Sequence, residues 1–228
     1  MSTETIPSAR RPGRPAKQAA SKDQRERLLD IALELFARNG VADTTLSAIA
    51  RKAGMTPAMA HYYFKTREQL FDYLIDERIM PARTDIEAIF EQHAADPERA
   101  LTLFAERLVA TNVRLPWFGA LWIREMISDN DIFKQHMRKR FGVERQVALF
   151  DAVRRWQQEG KLNPELEPTL LFVSLLGLTT LPMAAARRWK GDPLVAHVDT
   201  QVIARHVVAM LRQGIRPGAA GEERPAKA

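Results

Sequence analysis

The apolar residues of this chain recur every three or four positions, and beyond Pro81 no stretch alternates convincingly with period two. Only a helix turns such a spacing into one buried face. In the first clear example Leu28, Ile31, Ala32, Leu35 and Phe36 form the stripe, with Arg27, Asp30, Glu34 and Arg38 opposite. Asn39-Gly40 stops this helix, which is predicted to start at Asp23. A second helix follows the cap pair Thr44-Thr45 and ends at Gly54. A third starts at Thr56, with Pro57 in the first position, where its missing N–H costs nothing. A fourth starts at Thr66. Further helices are expected at roughly 81–94, 97–114, 117–128, 131–158, 166–189 and 194–213, punctuated by Asp96-Pro97, Leu115-Pro116 and Asn163-Pro164. The predicted fold class is all-α.

Several functions are excluded by what 228 residues do not contain. Without cysteine there is no disulfide framework and no thiolate metal site. No two of the five histidines stand at i, i+4. His93, His136, His197 and His206 read as structural, and neither a metal nor a cofactor is expected. No Gly-rich phosphate loop, nucleophile elbow or paired His/carboxylate motif supports an enzyme. The polar, basic N-terminus lacks the apolar core of a signal peptide, which suggests a cytoplasmic protein. The longest apolar run, Leu170 to Ala186, is interrupted by Ser174, Thr179, Thr180 and Pro182, and suits a buried or interface helix better than a membrane span.

Charge is unevenly placed. Residues 1–67 hold 12 Lys/Arg against 6 Asp/Glu, whereas the rest of the chain holds 22 of each. The whole net charge of +6 thus sits in the first third, as in a nucleic-acid-binding head on a neutral body. Residues 1–22 read as a disordered basic arm, 23–67 as a DNA-binding domain, 68–214 as a larger helical domain and 215–228 as a disordered tail.

Residues 45–64 have the pattern of a helix-turn-helix: Ala50 where two helices cross closely, Gly54 at the turn, and Ala60 where the third helix packs on the second. The stretch LLDIALELFARNGVADTTLSAIARKAGMTPAMAHYYFKTREQLFDYLID, residues 28–76, resembles the DNA-binding domain of TetR/AcrR-family transcriptional regulators. The first-helix A-x-x-L-F-x-x-x-G, the T-T before the second helix, I-A-x-x-A-G and the closing Y-Y-F-K-T-R-E-x-L stand in register. The resemblance implies an all-helical homodimer that binds a palindromic operator on double-stranded DNA. It also implies a C-terminal domain that takes a small-molecule effector. A repressor is the favoured form, with an activator of the same fold as the alternative and a membrane-associated helical protein as a remote one.

Ala60 and Phe64 should face helices one and two, so the rows Pro57–His61–Lys65 and Ala58–Tyr62 should face outward. By the resemblance, DNA contacts come from Thr56, Pro57, Ala58, Met59, His61, Tyr62 and Lys65, with phosphate held by Thr44 or Thr45 at a helix start. Pro57 stands where the family often has a lysine or other polar residue, and His61 where it often has tyrosine. The reading face therefore lacks the Arg, Asn or Gln of bidentate base recognition. Arg11-Pro12-Gly13-Arg14-Pro15 resembles the Gly-Arg-Pro core of an AT-hook, which would place Arg11 and Arg14 in an A·T-rich minor groove; the alternative is a solvated basic tail.

In the larger domain Trp117, Phe118, Trp122, Met126, Phe133 and Phe150 could line an effector pocket. Among 115–127 only Glu125 and Arg124, with neighbouring Arg114, could fix a polar group, so the effector is read as hydrophobic or amphipathic. Leu171, Leu175 and Leu178 with Val202, Ile203, His206 and Met210 are the expected dimer interface. A hinge is expected along 67–79 and at Met80-Pro81.

Overall fold

The computed structural model describes residues 14–189 and 191–217. Within them every regular element is helical: α1 (Arg14–Asn39), α2 (Leu46–Lys52), α3 (Pro57–Tyr63), α4 (Arg67–Leu74), α5 (Met80–Gln92), α6 (Pro97–Arg114), α7 (Pro116–Ile127), α8 (Ile132–Phe141), α9 (Glu144–Gln158), α10 (Pro168–Arg188) and α11 (Thr200–Ile215). A π turn, Ile75–Ile79, joins α4 to α5.

Four boundaries differ from expectation, each for a local reason. α1 begins at Arg14 and not at Asp23, so residues 14–22 are helix and not arm. Ala16, Lys17, Gln18, Ala19 and Ala20 are good helix formers, and Pro15 sits in the first turn, where proline is tolerated. The expected 131–158 helix is broken by Gly142, whose φ is +62°, into α8 and α9. The last helix starts at Thr200, because the Asp199 carboxylate accepts from Val202 N at 2.8 Å and fixes the N-terminus there. At Met80-Pro81, where a hinge is expected, the two helices run on without a gap: Met80 N donates to the Ile75 carbonyl, five residues back. That wider register carries the helix past a proline that has no N–H to offer.

Two cores result. The head core is built on Leu28, Phe36, Ile49, Ala60, Phe64 and Phe71, and it continues into Leu121 of α7 and into Phe133 and Met137 of α8. The body core holds Phe90, Phe104, Trp156, Leu175, Val207 and Leu211. Trp156 stacks on Phe90 with ring centroids 5.8 Å apart and donates its indole N–H to Ala94 O at 2.6 Å.

Helix α7 lies between the head and the rest of the body, and Gly119 allows it to pack closely there. The buried Asn112 of α6 donates to Leu108 O and to Thr180 Oγ1 of α10. A Cβ at Gly119 of α7 would overlap Asn112 Oδ1 and lie 2.7 Å from Thr180 Oγ1. These buried side chains are held by the Asn112–Thr180 hydrogen bond and have little room to yield, so Gly119→Ala is expected to cost about 2–3 kcal/mol, the upper range for overpacking. Chemical denaturation checks this: a loss below about 0.5 kcal/mol would show that the junction adapts.

By length and composition α10 could cross a membrane. In the fold its Leu171, Leu175, Thr179 and Met183 are buried against the body.

Candidate nucleic-acid interface and internal cavity

Side-chain caps set the helix-turn-helix. Thr45 Oγ1 accepts from Ala48 N at 3.1 Å to start α2, and Thr56 Oγ1 accepts from Met59 N at 3.3 Å to start α3. Gly54 makes the turn with φ +71°. Ala60 and Phe64 are fully buried. The opposite face of α3 carries Pro57, Ala58, His61 and Tyr62, with Thr56 before it and Lys65 after it, all exposed, while Met59 is half-buried. Tyr62 is 80% exposed and meets only the edge of Tyr63 among aromatic rings. His61 Nδ1 lies 3.3 Å from Lys65 O, which draws the ring toward the end of the helix.

Thr44 is a correction. It is 1% exposed and its hydroxyl donates to Gly40 O at 2.8 Å, so it holds the α1–α2 turn and has no surface for phosphate. Thr45, its exposed neighbour, keeps the position at the helix start. Arg11 lies outside the described residues. Arg14 and Pro15 form the first turn of α1, so the Arg-Pro-Gly-Arg-Pro segment is not extended at its second half.

Ion pairs tie α1 to the π turn beyond α4. Arg25 of α1 binds Glu77 and Arg78 binds Glu26, with Arg78 Nε also 3.6 Å from Asp30. The bond from Arg78 holds the Glu26 carboxyl below the usual carboxylate range, and Glu77 raises Arg25. The π turn that absorbs Pro81 therefore also carries both partners of α1.

A cavity of about 380 Å³ opens among α5 to α10. The structure brings Phe118, Trp122, Met126, Phe133 and Phe150 to its wall, joined by Phe104, Leu108 and Phe172, which lie on the inner faces of α6 and α10. Trp117 does not belong to it; it packs between the two cores, edge-on to Phe118. Glu125 is on the wall as well, 3% exposed, and its Oε1 accepts from Val41 N at 3.0 Å. The preceding residue, Arg124, donates to Asn39 O at 2.9 Å, and Arg67 donates to Ala42 O at 2.9 Å. The turn that leads into α2 is thus held by α7 on one side and α4 on the other. Glu125 was visible in the sequence as a lone acid in an apolar helix, but its partner lies 84 residues away.

The expected dimer residues separate into two groups. Leu171, Leu175 and Ile203 are buried in the chain's own body core, and Leu178 is half-buried against it, because the 3.6-residue period turns these positions inward. Of the expected residues, His206 and Met210 of α11 face outward and Val202 is half-buried; on α10 the outward positions are Leu170, Ser174, Leu181 and Ala184, which were not expected.

Comparison with known proteins identifies the head. Residues 28–74 match the family described as bacterial regulatory proteins, tetR family. The regulator TtgW of Pseudomonas putida, described as an uncharacterized HTH-type transcriptional regulator, is 37% identical over 67 residues, which are 29% of this chain and 50% of TtgW. The chain thus spans about half the length of that relative. Two solved structures share the fold over most of the chain. The ketosteroid transcriptional regulator KstR2 of Mycobacterium tuberculosis has a TM-score of 0.60 at 19% identity, covering 85% of this chain and 95% of its own. NalD of Pseudomonas aeruginosa, described as the secondary repressor of the MexAB-OprM multidrug efflux pump, has a TM-score of 0.56 at 22% identity, covering 88% and 99%. Residues 28–74 are thus similar in sequence to the tetR family of bacterial regulatory proteins, and the helical fold is shared with these two solved structures.

Proposed function

We propose that this protein is a cytoplasmic homodimeric transcriptional repressor, not an enzyme, that binds a palindromic operator and is released by a small apolar effector. The observation that carries this reading is the outward face of α3, where Tyr62, His61 and Lys65 stand clear of the fold on a helix capped and buried along its other side. An exposed aromatic flanked by a histidine and a lysine suits a groove lined with phosphates and base edges. Thymine methyl contacts from Ala58 or Met59 and a phosphate at the start of α2 complete the set. NalD's description as a repressor favours repression over activation for a chain of the same fold.

The shared turn supports effector release. A molecule entering the cavity meets Glu125, whose carboxylate also holds Val41 at the start of the head turn. Moving operator affinity by about 100-fold needs roughly 2.7 kcal/mol of differential binding between the two head spacings. The bond network from Glu125 and Arg124 to the α1–α2 turn, with the α1 to π-turn ion pairs, provides contacts that can differ between the two states.

The basic arm is assigned to the minor groove beside the operator. Deleting residues 1–13 removes Arg10 and Arg11, and the slope of log affinity against log salt should fall by about 1.8, at roughly 0.9 per phosphate contact. An unchanged slope contradicts a role for the arm. Placed ahead of a reporter, duplexes retained by the protein should lower expression when it is supplied; a rise would make it an activator.

A further inference from the structure

Among the charged groups around the cavity, Glu125 stands apart. Arg83 pairs with Glu87 and Lys134 with Asp131, and Arg138 is exposed to solvent at the rim. Glu125 is almost completely buried, and among the described residues no cationic side chain pairs with it. Its Oε1 accepts from Val41 N at 3.0 Å, and Oε2 is not among the buried atoms left without a partner, so it is open to the cavity. A buried carboxylate without a counter-charge is costly, and a bound cation removes that cost. The neighbouring wall has the right chemistry for one. Trp122, Phe118 and Phe133 are packed together, with Trp122 5.1 Å from Phe133 and 6.2 Å from Phe118, and their faces attract a cation. The indole N–H of Trp122 is buried with no acceptor, and an oxygen elsewhere on a ligand, not its ammonium group, would complete it.

We propose that the cavity takes an apolar molecule bearing a protonated amine, anchored by its nitrogen on Glu125. This deepens the proposed effector response and rests on it. The rest of the wall is apolar and wants a hydrocarbon or aromatic body. The anchoring carboxylate also holds the α1–α2 turn, so the group that recognises the ligand is the group that contacts the head.

The test uses three probes of one chain length, decylamine, decanol and decanoate, each kept below its micelle-forming concentration. Their binding to the full-length protein without DNA is measured by calorimetry. Decylamine should bind at least tenfold more tightly than decanol, a difference of about 1.4 kcal/mol, and decanoate should bind weakest. In Glu125→Gln, which keeps an acceptor for Val41 N–H, the preference for the amine over the alcohol should vanish. Decanoate binding tightest, the three binding alike, or an amine preference that survives in Glu125→Gln would each overturn the proposal and leave the cavity as an effector site for another ligand class. Binding by none of the three would overturn it and remove the support for effector release as well. The ranking in the unmodified protein holds whether or not the variant folds.

Discussion

A Leu181→Glu chain should sediment as a monomer and lose at least about 100-fold in operator affinity, because two linked heads gain about 10²–10⁴ over one. Leu181 is 58% exposed in the middle of a stripe along α10, with Leu170 about three turns before it and Met210 similarly bare on α11. On the same face stand Ser174, Gly177 and Ala184, small enough to let a second helix approach. Covering a leucine contributes roughly 1.5–3 kcal/mol, and a glutamate at the same place must give up its hydration instead. Leu181 is not in either core, so the fold should tolerate the change: helix content should remain as in the parent, while melting falls only by the stabilisation the dimer supplies. A Leu181→Glu chain that stays dimeric would place the interface elsewhere, and loss of the fold would show that α10 turns differently.

The second large effect is expected at the reading face. Joint replacement of His61 and Tyr62 by alanine should weaken operator binding by about tenfold or more, since each makes a contact worth less than the roughly 1–3 kcal/mol of a bidentate pair. Stability should change by no more than about 0.5 kcal/mol, as for other surface substitutions. Tyr62 lies outside both cores and its ring meets only Tyr63, while His61 makes a single weak contact to Lys65 O. Phe64, two residues on, gives the contrast. It is fully buried, and Phe64→Ala should cost about 3–5 kcal/mol of stability. Equilibrium unfolding beside fluorescence anisotropy on a bound duplex separates the two. Undiminished affinity in the double variant would show that α3 does not read the DNA.

What the sequence revealed about this molecule was local. Threonines before helical stripes marked the starts of α2, α3 and α4, because a cap is a bond between a side chain and an amide three residues away. The facing of α3 followed from one period. Choices between equivalent neighbours were not legible. Thr44 and Thr45 are the same residue side by side, and only the three-dimensional turn shows that Thr44 reaches back to Gly40 while Thr45 caps. α10 is apolar almost all round, so the sequence could not say that Leu171 and Leu175 face inward and Leu170 and Leu181 outward. The aromatic and methionine side chains that meet in the cavity come from separate helices, and Trp117 was grouped with them by proximity along the chain alone. Glu125 was the most instructive case: its type was visible, but its partner Val41 and the cavity beside it exist only once α1 and α7 have packed.

The central claim, a two-headed protein that reads an inverted repeat, is tested most directly by selection from random duplexes at about 150 mM salt, where counterion-driven background is suppressed. Sequencing what the full-length protein retains should show two half-sites related by two-fold symmetry, at one fixed spacing and with A·T bias at the flanks. A retained pool with no enriched sequence, or with a single unpaired half-site, would contradict it.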